Sequence, residues 1–296
     1  MRLSCYRIQP CRQTDIQKRD FMELPRGGHI RANGIRQHYL HFGKRGPRLV
    51  IVPGIVSPAM LWAHVGEWLA ACSECFVLDV RGRGLSEAGA HLGYGLDACA
   101  QDLSAFVREM KLGPAVVVGH SMGARIAVRA AARTAELYRS LVLLDPPTSG
   151  PGRRDYPIPA ERTLSLLRAA HRGEAAAAIG SGAGTKWPEQ LQRLRAEWLS
   201  TCDERAVLAA YEDFHGQDMF GDLARAQVPA SLICAGEGGV VSEDDVAEMR
   251  RLRRDLDVVR IPGVGHQMQA EDFGAFQRAL ATVLRRHDQA FERIDQ

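Results

Sequence analysis

The pentapeptide Gly119-His120-Ser121-Met122-Gly123 sets a serine between two glycines. The apolar, β-branched run Ala115-Val116-Val117-Val118 precedes it, and an Ala- and Arg-rich stretch, residues 124–133, follows. G-x-S-x-G at a strand-to-helix junction is the nucleophile elbow. The turn is so tight that only glycine two residues either side of the serine lets strand and helix approach. It holds the hydroxyl clear of the sheet, above a helix N-terminus whose free N–H groups can stabilise an oxyanion. The chemistry implied is attack by a serine oxygen on an acyl carbon. That reaction needs a base, an acid to orient the base, and oxyanion donors.

In chains built on this elbow the order is serine, acid, histidine. Of ten histidines, only His266 follows a late strand in a Gly-rich turn, Pro262-Gly263-Val264-Gly265-His266, and it is the expected base. The usual place for the acid, the loop after the 231–235 strand, reads Gly236-Glu237-Gly238-Gly239 and holds no aspartate. Asp244 and Asp245 read as first-turn helix residues behind an N-cap at Ser242. The preceding strand ends directly in Asp145, where a carboxylate can also reach the histidine. Asp145 is therefore favoured over Glu237 and Asp244; its competing reading is a strand-end cap tying down Pro146-Pro147. The backbone N–H of Met122 and that of Ile55, in the loop Pro53-Gly54-Ile55, are the expected oxyanion donors. The turn at residues 79–86 reads as structural, with Arg81 bracing loops near the site.

The elements that position these groups are visible as periodicity. Residues 29–32 and 35–42 flank Asn33-Gly34 and predict a β-hairpin. Apolar runs predict strands at 49–52, 76–80, 141–144, 231–235 and 258–261; helical spacing predicts helices at 61–71, 96–110, 242–254 and 273–286. Strands alternating with helices imply a mostly parallel, twisted α/β sheet with helices on both faces. Residues 148–227 break the rhythm with a Gly/Pro/Arg loop, 148–159, then helical segments at 162–172, 189–201 and 204–214. A helical cap over the C-terminal edge of the sheet is expected there. The predicted organisation is a polar tail at 1–28 (with Met22 an alternative start), a core at 29–147 and 228–287, the cap at 148–227, and a C-terminal tail at 288–296.

The 296 residues are 46% hydrophobic, ample for a core, and carry a net charge of +3 from scattered Lys and Arg. No nucleic-acid partner is expected from that distribution. No apolar run approaches bilayer length and residues 1–28 lack an apolar signal region, so neither a membrane partner nor export is expected, and the cytoplasm is the expected location. Seven cysteines, an odd number, suit reduced thiols, and Cys72-x-x-Cys75 has no second pair to complete a zinc site. No H-E-x-x-H occurs, and no G-x-G-x-x-G opens the first helix; no metal and no nucleotide cofactor are expected.

On the elbow, His266 and Asp145, the chain resembles the α/β-hydrolase superfamily across residues 29–287. It is similar, more narrowly, to the N-formylmaleamate deformylase family of aerobic nicotinate degradation. The matching segments are residues 32–40, 78–86, 97–100, 119–125, 145–147 with 149–154, 195–199, 213–215 and 247–250. The N-terminal extension, residues 163–188 and the loop after His266 depart from that pattern. The resemblance implies that N-formylmaleamate and water give maleamate and formate, with no cofactor: Ser121 attacks the formyl carbon, and His266 protonates the leaving nitrogen and then activates water. It also implies an acid after the same strand as Asp145. A small carboxylated amide as substrate calls for a cation, for which Arg125, Arg153 and Arg154 are candidates, with His215 from the cap. An esterase or carbon–carbon bond hydrolase would use the same triad, and a non-catalytic ligand-binding protein could keep the pocket. Serine in place of aspartate disfavours a haloalkane- or epoxide-type hydrolase.

Overall fold

The computed structural model describes residues 26–180 and 186–294. The alternative start at Met22 and most of the expected N-terminal tail lie outside the described residues. Eight strands, β1 (Arg26–Ala32), β2 (Ile35–Phe42), β3 (Arg48–Val52), β4 (Glu74–Leu78), β5 (Ala115–His120), β6 (Tyr138–Leu144), β7 (Ala230–Ala235) and β8 (Asp257–Ile261), form one sheet in the order β1-β2-β4-β3-β5-β6-β7-β8. The β1–β2 hairpin turns at Asn33 and Gly34, both at positive φ, as an Asn-Gly turn requires. β2 joins β4 antiparallel, and every later pairing is parallel.

The helices are α1 (Ala63–Leu69), α2 (Leu96–Glu109), α3 (Met122–Arg133), α4 (Ala160–His171), α5 (Ala175–Gly180), α6 (Glu189–Leu199), α7 (Glu204–Gly216), α8 (Met219–Arg225), α9 (Glu243–Leu252), α10 (Met268–Glu271) and α11 (Phe273–His287). The central strands are apolar throughout because both faces are covered, and alternate residues go to opposite sides. Val50, Val52, Val117 and Leu143 join the core beneath α2, α3, α8 and α9, whereas Leu49, Ile51, Val116 and Val142 join the core beneath α1 and α11.

Four boundaries differ from expectation for physical reasons. Residues 26–28, assigned to the tail, pair with β2 as the start of β1. The strand predicted to reach residue 80 stops at Leu78, because the Asp79 carboxylate accepts N–H bonds from Ala59 and Leu85 and turns the chain. Helix α8, in the segment expected as cap, packs on α3 and α9 and forms part of the crossover that parallel neighbours β6 and β7 require. Residues 288–294, expected as a tail, form a short 3₁₀ turn whose Phe291 and Ile294 are buried in the core beside α11.

Candidate active site

Ser121 connects β5 to α3 with φ 54° and ψ −120°, a conformation that L-residues rarely adopt. The fold over-determines it. The Ser121 N–H donates to the Leu144 carbonyl at 2.8 Å, and the helix begins immediately behind it. A side chain at Gly123 would put its Cβ 1.9 Å from the Val52 carbonyl oxygen, and one at Gly119 would meet the Gly123 carbonyl at 2.5 Å. The elbow therefore needs both glycines for close approach. The Ser121 hydroxyl is buried and makes no hydrogen bond. Tyr156, from the cap loop, lies against it, though the geometry falls short of a hydrogen bond.

His266 and Asp145 come together as expected: His266 Nδ1 lies 2.6 Å from Asp145 Oδ2. Asp145 is fully buried at positive φ, 42°, one residue beyond β6. Its oxygens also accept the backbone N–H groups of Val240 at 3.0 Å and Ala235 at 3.3 Å. Burial alone would raise its pKa; the His266 bond and these N–H groups outweigh burial and hold it below the ordinary carboxylate value. The missing acid after β7 now has an explanation. A Cβ at Gly239 would lie 3.1 Å from Asp145 Oδ1 and 2.8 Å from the Ala235 Cβ, so that loop is glycine where the neighbouring carboxylate occupies the space. Glu237 and Asp244 are exposed, and Asp245 closes a capping box with Ser242.

His120, the variable residue of the elbow, had no role assigned from sequence. Its Nε2 donates to the His266 carbonyl at 2.9 Å, and the two rings lie 4.8 Å apart. Burial, with the His266 ring beside it, pushes its pKa down to about 3, so the tether is a neutral imidazole. The serine-bearing strand thus grips the backbone of the base. Gly54, which precedes Ile55, brings that loop against the elbow: a Cβ there would sit 3.4 Å from the Ser121 Cβ.

Arg81 is the expected brace, bonding both Asp102 oxygens at 2.5 and 2.6 Å and the Gly93 carbonyl at 2.6 Å. The expected substrate cations are engaged elsewhere. Arg125 is buried, with its terminal nitrogens on the carbonyls of Pro147, Ser149, Asp213, Phe214 and Gln217. Arg153 makes a two-pronged pair with Glu248 at 2.7 and 2.9 Å and lies over the Phe220 ring. Arg154 pairs with Asp245 at 2.7 Å. His215 is at the surface, 3.6 Å from Asp155. Arg195, on α6, is different: its guanidinium lies 4.8 Å from the Trp187 ring centre and joins no ion pair among the described residues. Among these residues no cluster of His, Cys, Asp and Glu is arranged to hold a metal ion.

A family model described as the alpha/beta hydrolase family matches residues 49–279. The chain belongs to the α/β-hydrolase family. It is similar to an N-formylmaleamate deformylase of Pseudomonas putida, with 45% identity over 258 residues, 87% of this chain and 96% of that protein. A 2-(acetamidomethylene)succinate hydrolase of Mesorhizobium japonicum is 27% identical over 75% of this chain and 82% of its own length. Among solved structures, a serine-to-alanine variant of an N-formylmaleamic acid deformylase from Pseudomonas putida S16 superposes with a TM-score of 0.83 at 42% identity, covering 86% of this chain and all of that one. Ser121 directly follows β5 and His266 follows β8, both beyond the C-terminal ends of parallel strands. No helix among the described residues is long and apolar enough to cross a membrane.

Proposed function

We propose that the protein is a hydrolase of a linear amide bond that cleaves N-formylmaleamate to maleamate and formate. The observation that carries the chemistry is the 2.6 Å His266–Asp145 pair beside the positive-φ Ser121. The substrate follows from the 45% identity to a deformylase over nearly its whole length.

Ser121 Oγ adds to the formyl carbon as His266 Nε2 takes its proton. Met122 and Ile55 N–H groups receive the oxyanion; removing one such donor typically costs about 100- to 1000-fold. The imidazolium, steadied by Asp145, then gives its proton to the nitrogen, the C–N bond breaks, and maleamate leaves. Water, deprotonated by the same imidazole, adds to the formyl-enzyme, and formate departs as Ser121 regains its proton. Arg195, a half-buried cation without an ion pair among the described residues, is the proposed contact for the substrate carboxylate; α6 packs on the 3₁₀ turn Ala59–Trp62 that follows the Ile55 loop.

The test is formate and maleamate release from N-formylmaleamate by the purified protein. Equal amounts of both are expected, none from Ser121→Ala, and a KM roughly tenfold or more higher for Arg195→Met, the loss of one charge-assisted contact. Ester hydrolysis without formate release would overturn the assignment of substrate.

A further inference from the structure

Arg83 and Arg125 are both 1% exposed, and neither joins an ion pair among the described residues. Buried guanidiniums ordinarily sit against carboxylates, because an unpaired charge in the interior is costly. Here the partners are carbonyl oxygens. Arg83 donates from Nε to Ile55 at 3.1 Å, from Nη1 to Arg81 at 2.9 Å and from Nη2 to Ala206 at 2.8 Å; Nη2 also lies 3.5 Å from the Met122 sulfur. Arg125 collects Pro147 and Ser149, just beyond Asp145, and Asp213, Phe214 and Gln217 at the end of α7.

Two patterns follow. Ala206 is in the first turn of α7, and the Arg125 partners lie in and just past its last turn, so one cap helix is fastened to the core at both ends. At the second fastening Arg125 meets the orphan carbonyls and negative end of a helix. Each arginine also grips a loop that carries a proposed reacting group: Ile55 for Arg83, the exit from Asp145 for Arg125. Met122 lies between them, touching Arg83 by its sulfur and lining the same small void as Arg125. Uncharged amides could satisfy carbonyls. Two positive charges without a direct ion pair, their nearest carboxylates (Asp203 for Arg83, Asp213 for Arg125) acting only at longer range, do what amides cannot: they favour negative charge in the region of Met122. Burial lowers the pKa of both, to about 10 for Arg125; a guanidinium keeps its proton in proteins.

We propose that Arg83 and Arg125 are positioning residues that clamp α7 over the nucleophile elbow and, making no direct ion pair, bias the site toward carboxylated substrates through their field rather than by contact. The proposal deepens the deformylase reading and rests on its triad, but its test uses esters, so the two can fail separately. The measurement is kcat/KM for p-nitrophenyl hemisuccinate against p-nitrophenyl butyrate, similar acyl groups with and without a carboxylate. Wild type is expected to favour the carboxylated ester by about tenfold or more, and R83M and R125M to lose most of that preference. R83K and R125K, which keep the charge but not the full set of carbonyl bonds, should retain it within about threefold while melting at lower temperature. Where R125M does not fold, R83M and R125K decide. A wild-type enzyme without the preference, methionine variants that slow both esters equally, or lysine variants that lose it would overturn the proposal. Intact ester preference without formate release from N-formylmaleamate would instead overturn the deformylase reading alone.

Discussion

Two imidazole–carboxylate pairs with a fully buried carboxylate lie among the described residues, and locally they are nearly the same object. His38 Nδ1 is 2.6 Å from Asp79 Oδ2, and His266 Nδ1 is 2.6 Å from Asp145 Oδ2. Each carboxylate also accepts two backbone N–H groups: Ala59 and Leu85 for Asp79, Val240 and Ala235 for Asp145. Each is hugged by a glycine, Gly84 or Gly239. They differ in what faces the other ring nitrogen. His38 is held inside β2, and its Nε2 lies 3.1 Å from where a Cβ on Gly27 would be, beside the His29 ring. His266 stands on a loop, its ring against His120, next in sequence to a strained and unpartnered serine. A short His–Asp bond is therefore no signature of catalysis. The first pair ties the turn after β4 to the 3₁₀ turn Ala59–Trp62; the second is the one proposed to serve Ser121.

Removing one imidazole from each pair gives the widest separation. His266→Ala should lower kcat for formate release by roughly 10⁶-fold, the loss typical of the base of such a triad. His38→Ala should leave kcat per folded molecule within about fivefold while costing about 3 kcal/mol of stability, since breaking a buried pair strands the other charge. Steady-state kinetics and urea titration on both variants check this.

The two glycines sharpen the comparison. Gly84 has φ 57°, and a Cβ there would fall 2.1 Å from Asp79 Oδ1. Gly84→Ala should cost on the order of 3 kcal/mol, read as a shifted urea midpoint. At Gly239 the approach to Asp145 is looser, 3.1 Å, so Gly239→Ala should displace the carboxylate slightly and lower kcat by about tenfold with little change in midpoint.

The elbow and the histidine that meets Asp145 were legible in sequence because their demands are local: two glycines beside a serine, and a histidine in a Gly-rich turn after a late strand. The acid was legible only by joining two gaps, an aspartate at the tip of β6 and glycine where an aspartate was expected after β7. The structure gives the reason, since Gly239 clears the space Asp145 fills. The strands were read from their apolar runs, with ends displaced where Asp79 turned the chain. The arginines were opaque. Arg125 and Arg83 take carbonyls from residues as far as 92 and 123 positions away, and a carbonyl partner leaves no trace in residue type. His120 was opaque for the same reason, as its partner is the backbone of His266.

The account's central claim is that the carboxylate at Asp145, and not the look-alike at Asp79, serves the reaction. The direct measurement is kcat for formate release by Asp145→Asn and Asp79→Asn side by side, each corrected for folded fraction by circular dichroism. Asp145→Asn should fall by about 10⁴-fold while remaining folded, because the imidazole loses its correct tautomer. Asp79→Asn should keep kcat within about fivefold and melt earlier. A folded Asp145→Asn enzyme with near-normal turnover, or a folded Asp79→Asn enzyme that has lost it, would contradict the account.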